Sequence, residues 1–457
     1  MIDPFLSAHQ VGPLQFELGG VWAPVSIRDQ MVRAQLFVAR AAGAGVIAPP
    51  DADGANGRPL FVVGAGAAGA TAALAAAERN IEAFLLDQNS APFSRQAQCT
   101  SRWIDPSQYD WPHRTWLRAA YPQTPPKAPL AWTAGLADQV ASSWQASVPP
   151  LAAPALLHDL YDQQVVAVMT RGRQLRVVTA MSATPTTPIE YRDVGALVST
   201  IGFGTERCTV GSSFRGWSFW ETDPLGSPGL GLAGAFRVLI SGGGDGALQD
   251  LIRVVTGFRS ARDVFTLLMP LLPRDIGEII GHIEQDSERS YVWGYDPEHD
   301  DHAVLSRTQH EYTRVARQVL TAQLARKLDQ LIVARDVELA FPCVHFQKVY
   351  ALNRFITLLL AERLPGLLVP QKRLTAVAAS YPRYHQCKQD PNTCHGESHE
   401  LTLDEHLDCR GKSNPRVQSF RTVQTLVVRH GVEAPEYVLG SSRAPAPRQI
   451  LPYHVSR

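Results

Sequence analysis

The chain has 457 residues, with 43 basic and 43 acidic side chains and 45% hydrophobic residues. Such a charge balance offers no broad basic field to nucleic acid or an anionic membrane, no apolar run is long enough to cross a bilayer, and the length implies two or three domains with substantial cores. Six scattered cysteines make no disulfide framework and the N-terminus has no basic region followed by an apolar one, so a soluble, cytoplasmic protein is expected.

Residues 1–56 read as a helical appendage, with an amphipathic helix over 27–42 and then a loop of Gly, Pro and Asp ending at Arg58-Pro59. This appendage offers a surface for a homodimer. The most informative stretch follows at 61–87. An apolar strand over 61–63 runs into Gly64-x-Gly66-x-x-Gly69, then an alanine-rich helix, then a second apolar strand closing on Asp87. Gly64 permits the tight turn, Gly66 lets the backbone approach a pyrophosphate, and Gly69 lets the helix lie close to the strand. The phosphates would rest on the helix N-terminus, and Asp87, about 20 residues downstream, would accept hydrogen bonds from ribose hydroxyls. Glycine turn, strand, helix and terminal acid together point to a bound dinucleotide.

Next comes a dense run of aromatic and charged residues from Ser101 to His113, in which His113 is the best-placed acid or base. Residues 164–169 and 174–180 read as paired strands around Arg171-Gly172-Arg173, followed by a strand over 189–199 that leads into Thr200-Ile201-Gly202-Phe203-Gly204. A second strand, turn and helix begins at 236–240, with Gly242-x-Gly244-x-x-Ala247. The strand that should complete this unit is deferred to Val337–Phe341, and 258–333 between them read as a helical insertion, with Val315, Val319, Ala322 and Leu328 on an apolar face. The insertion would serve as a substrate lid, a dimer surface, a block over a nicotinamide site, or simply as packed helices. Further on, 349–364 read as a helix and 423–428 as a late strand returning to the first domain.

The sequence resembles the flavoproteins with two dinucleotide-binding domains, most clearly over residues 60–255. These share a βαβ fingerprint for FAD, a β-meander ending in a glycine turn, and a second fingerprint for NAD(P)H. Gly242-Gly243-Gly244-Asp245-Gly246-Ala247 is similar to the loop of thioredoxin reductases, but the chain has no closely spaced cysteine pair for disulfide chemistry. Phe214-x-Gly216-x-x-x-Trp220, lying between the Gly202 turn and the second fingerprint, resembles class B flavin monooxygenases, with Trp220 where they place histidine; the alternative is a hydrophobic linker.

The resemblance implies an α/β fold: an FAD-binding Rossmann-like domain with a β-meander, and a second Rossmann-like NAD(P)-type domain carrying the helical insertion. The expected boundaries are 57–235 for the first part of the FAD domain, 236–364 for the NAD(P)H-type domain, 365–440 for a return segment of the FAD domain, and 441–457 for a surface tail. The implied cofactor ligands are Gly64, Gly66, Gly69, Asp87, Arg102 and Gly202 for FAD, with Gly242, Gly244 and Ala247 for NAD(P)H. Arg102 would pair with phosphate, and Trp103 or Trp111 would stack near flavin or substrate; their alternative is a loop covering the core. Lys348 and Arg354 would meet a 2′-phosphate or lie on a helix surface.

No metal site is expected. His385, Cys387, Cys394, His395, His399, His406 and Cys409 have irregular spacing for zinc, and Glu298-His299-Asp300-Asp301-His302 read as a solvated turn. The expected activity is FAD-dependent oxidation of a small-molecule substrate, NAD(P)H-driven and monooxygenase-like. The alternatives are an oxidase or dehydrogenase with a vestigial second nucleotide site, and a non-catalytic FAD-binding sensor or scaffold.

Overall fold

The computed structural model describes residues 3–18, 26–51, 56–106, 108, 111–112, 120–121, 130–148, 156–172, 174–202, 204–226, 237–290, 302–347, 349–382, 397–405 and 418–432. Its first sheet has six strands in the order Gln10–Gly12, Gln15–Glu17, Ala196–Ser199, Leu60–Val63, Ala83–Leu86 and Leu157–Leu160. All neighbours are parallel except the opening hairpin. Leu60–Val63 and Ala196–Ser199 are buried throughout, as continuous apolar strands covered on both faces must be.

Helix Ala67–Ala77 lies against one face of this sheet, and helix Ile27–Gly43 packs on it. Alanine both favours the helix and keeps it slim enough for close approach. Ser26 caps the N-terminal helix by accepting from the Asp29 N–H at 3.1 Å. The helix falls where its periodicity predicts, but residues 1–56 are no appendage: Gln15–Glu17 pairs in parallel with Ala196–Ser199, and Phe16, Met31, Phe37 and Val38 belong to the first core. The opposite face is covered by the antiparallel meander Gln163–Arg171, Gln174–Met181 and Thr184–Val194, whose Leu175, Val177 and Val194 pack on Phe61, Val63, Leu86 and Leu197. The expected single strand over 189–199 breaks at Gly195, where an added Cβ would lie 2.5 Å from the Val46 carbonyl oxygen.

The second sheet repeats this plan. Its parallel strands run in the order Leu368–Pro370, Val337–Phe341, Val238–Ser241 and Thr425–Val428. Helices Asp245–Thr256 and Ala351–Ala361 share a core with the insertion, which is helical as its periodicity predicts: Ala261–Leu268, Ile276–Ser290, His302–Val319 and Ala322–Leu331. On the other face lies a second antiparallel meander, Lys372–Pro382, Glu397–Glu405 and Gln418–Val423, packed through Leu374, Val377, Leu401 and Leu403 onto Leu239, Ala340, Leu426 and Val428. The expectation that 365–440 returns to the first domain is therefore corrected. Thr425–Val428 pairs with Val238–Ser241, so from Leu368 to this strand the described chain completes the second sheet and its meander. The fold is α/β, with two Rossmann-like halves, each a parallel sheet between helices and a meander.

Candidate functional site

At the first glycine turn the backbone is strained in a way only glycine tolerates. Gly64 has φ +102°, and a Cβ on it would sit 3.0 Å from the Thr200 carbonyl. Gly69 is the tightest point: a Cβ there would come within 1.8 Å of the Gly64 oxygen and 2.6 Å of Thr200 Oγ1. Thr200, which opens the Gly202 turn, ties the first turn to the sheet, its hydroxyl shared between the carbonyls of Val63 (3.0 Å) and Gly64 (2.8 Å). Gly66 differs from both. Its backbone suits any residue, and a Cβ on it would meet nothing within 4 Å. Gly202, on the neighbouring turn at φ +85°, likewise has nothing within 4 Å of an added Cβ. No side chain caps helix Ala67–Ala77, so its first-turn N–H groups are presented at this open approach.

Asp87 stands at the rim of the same approach. Its Oδ2 accepts from the Ala65 N–H at 2.7 Å, and its Oδ1 from the Asn89 backbone and side chain at 2.9 and 2.7 Å. A carboxylate has about four lone-pair sites, so these bonds leave room for a hydroxyl donor. The fold thus brings Gly64, Gly66, Gly69, Asp87 and Gly202 together around the first turn.

The second turn has the same backbone plan with different contents. The Gly64 N–H donates to Leu86 O at 2.7 Å, and the Gly242 N–H to Ala340 O at 2.8 Å; the Phe93 N–H donates to Ala65 O and the Gln347 N–H to Gly243 O, both at 2.9 Å. By this correspondence Phe341 occupies the position of Asp87. It is 2% exposed and packs on Phe346, so the second unit ends in a buried ring where a ribose-binding acid would stand. Around Gly246 an added Cβ would meet Phe219 at 3.4 Å and Arg429 at 3.6 Å, and at Gly244 it would meet Gln347 Oε1 at 3.4 Å. Ala247, in the place of Gly69, is fully buried. Asp245, at the start of the second helix, is half-buried. Burial pushes its carboxyl up to about 6, against the hydrogen bonds from Asn353 Nδ2 (2.9 Å) and the Tyr350 N–H (3.0 Å).

Arg102, expected on phosphate, is turned instead into a buried ion cluster between the halves. It pairs with Asp250 and, at 2.9 Å, with Asp223, while its Nε donates to the Phe219 carbonyl at 2.8 Å. Arg253 reaches Asp223 at 2.9 Å and Asp250 at 3.0 Å; Arg429 reaches Asp250 at 2.8 Å. Burial alone would raise the Asp250 carboxyl, but Arg102, Arg429 and Arg253 outweigh it and hold the group far below the usual carboxylate range. The sequence signal was Asp250 and Arg253 set among the apolar residues of helix Asp245–Thr256.

Trp111 is likewise displaced from the expected site. It is 4% exposed in the second core, stacked on Phe355 and tilted against Phe265 of the helical insertion. Trp103 is half-buried beneath the Arg259 guanidinium, 5.5 Å from the ring centroid. Trp220 packs against the first core and edge-on to Phe219, the role of a hydrophobic linker. Arg354 is buried rather than on a helix surface, and faces Glu284 at 3.6 Å and the Tyr312 ring. His302 shares a 2.8 Å hydrogen bond with His345, and His399 packs edge-on against Phe214. His113, Lys348, Glu298, His299, Asp300, Asp301, His385, Cys387, Cys394, His395, His406 and Cys409 lie outside the described residues. Among the described residues no cluster of His, Cys, Asp and Glu is arranged for a metal, and no helix is long and apolar enough to cross a membrane.

No protein-family model matches the sequence, and no curated protein matches it. Among solved structures it is similar to a Lactococcus lactis thioredoxin reductase in its FR conformation (10% identity, 82% of this chain and 77% of that one, TM-score 0.36). It is also similar to the Staphylococcus aureus bacillithiol disulfide reductase (9%, 82% and 76%, TM-score 0.39) and the Pseudomonas aeruginosa ornithine hydroxylase (15%, 82% and 83%, TM-score 0.32). The class rests on the strand orders and turns above: an α/β protein with two dinucleotide-binding-type halves.

Proposed function

We propose that this protein is an FAD-dependent oxidoreductase acting on a small molecule, with FAD held by the first glycine turn. The observation that carries this reading is the open approach at Gly66 and Gly202, faced by an uncapped helix N-terminus and flanked by Asp87. The N–H groups and dipole of helix Ala67–Ala77 would offset the pyrophosphate charge, and Asp87 would accept from ribose. When bound, the flavin supplies two-electron redox chemistry, and the chain supplies its position and surroundings.

The electrons would come from the substrate itself. Phe341 in place of the ribose acid, with Gln347 Oε1 beside Gly244, supports an oxidase or dehydrogenase in which the second half is structural. A second reading, NAD(P)H-driven and monooxygenase-like with an amine or sulfide as substrate, is favoured by one feature: no side chain caps the helix after Gly244.

Gly66→Val tests the FAD assignment cleanly, because the fold has space for the new side chain and only a ligand would collide with it. The wild-type protein should purify yellow with one FAD per chain, and the variant should be colourless with the thermal midpoint of flavin-stripped wild type. Full flavin content in the variant would overturn the assignment.

A further inference from the structure

A separate pocket of about 210 Å³ lies on the second half, lined by Thr209, Val210, Gly211, Arg373, Leu374, Thr375 and His430. His430 follows strand Thr425–Val428, beside the carboxyl end of Val238–Ser241, and its Nε2 shares a 2.8 Å hydrogen bond with the buried Ser241 Oγ. When Ser241 donates to Nε2, the ring proton sits on Nδ1, which becomes a neutral donor. Arg373 and Arg207 both lie close enough to His430 to act on it electrostatically, and neither makes an ion pair among the described residues. No carboxylate lines the pocket. The nearest acids by position lie outside the lining: Asp404, across the strand pair from Arg373, accepts from Gln418 at 2.9 Å, and Glu206 accepts from the Phe219 N–H.

We propose that this pocket binds a small oxyanion, a phosphate or carboxylate group, gripped by Arg373 with His430 as a hydrogen-bond donor oriented by Ser241. The Arg373 guanidinium, which makes no ion pair among the described residues, is suited to planar or tetrahedral oxyanions, since its forked donors match adjacent oxygens. Burial, then Arg373 and Arg207, lower His430 to about 4, so near neutral pH it enters the site uncharged. A bound anion would oppose the two arginines and raise that value. The inference is independent of the flavin reading, because the pocket shares no residue with the first glycine turn.

The test is calorimetric titration of the full chain as purified with inorganic phosphate and, separately, acetate, alongside NMR of labelled histidine Cε1 with the His430 signal assigned by His430→Gln. One saturable site is expected for at least one anion, with the His430 titration midpoint moved upward on binding. Arg373→Gln, an exposed position, should weaken binding at least tenfold while Arg373→Lys retains most of it, both at wild-type thermal midpoint. Preference for phosphate or acetate identifies the source of the group. Absence of saturable binding by either, or binding unchanged in Arg373→Gln, would overturn the proposal.

Discussion

The two glycine turns share one backbone and differ in what fills it. Each strand end donates and accepts the same hydrogen bonds with its neighbours, each turn opens with a glycine at positive φ, and each leads into a helix with no side-chain cap. At the first, Gly66 and Gly202 face open space and Asp87 stands at the rim; at the second, Phe341 replaces the acid, Gln347 Oε1 lies 3.4 Å from a Cβ added to Gly244, and Phe219 and Arg429 lie beside Gly246. A glycine fingerprint therefore reports a backbone conformation. Whether a dinucleotide binds is decided by the side chains brought up to it from distant segments.

The largest effect should come from the cluster that packs Arg429 against the second turn. Asp250 balances Arg102, Arg253 and Arg429, all buried. Asp250→Asn leaves these cations with Asp223 alone and should cost about 3–5 kcal/mol in urea unfolding, the range for breaking a buried pair. A loss below about 1 kcal/mol would mean the cluster does not hold the halves together.

Next is the contrast within the first turn. Gly69→Ala drives a Cβ toward the Gly64 oxygen and should destabilise by about 1–3 kcal/mol or more, since backbone must move. Ala247 carries that Cβ at the matching position of the second turn without strain, so Ala247→Gly should change stability by only about 1 kcal/mol. Equal costs at Gly69 and Ala247 would erase the difference in helix–strand closeness between the turns.

The smallest effect is electrostatic. Asp245 is pushed up to about 6 from an ordinary 3.8, so the folded state holds its proton more tightly than the unfolded chain. Its contribution is therefore fully present below about pH 4 and lost as pH rises through about 6. The stability difference between wild type and Asp245→Asn should shift in favour of the variant across that window and level off above it. A difference independent of pH would show that the carboxyl is not raised.

Much of this was legible in the sequence because it is local. Helix Ile27–Gly43, the first meander, the helical insertion and strand Val337–Phe341 all follow from periodicity and turn residues within one window. What the sequence hid is long-range. Trp111 reads as a flavin-stacking aromatic until it is found against Phe265 and Phe355, and Arg102 as a phosphate ligand until Asp250 and Asp223 meet it. The same holds for the second meander, whose strands resemble a return to the first sheet in pattern and differ only in which sheet they pack against.

The claim that only the first turn serves as a dinucleotide site is tested most directly by anaerobic titration of the purified flavoprotein with NADPH and NADH, monitored by flavin absorbance. One FAD per chain that neither nicotinamide bleaches is the predicted result. Stoichiometric bleaching by one equivalent of either, slowed by Gly244→Val without loss of FAD, would contradict it and make the second turn a working site.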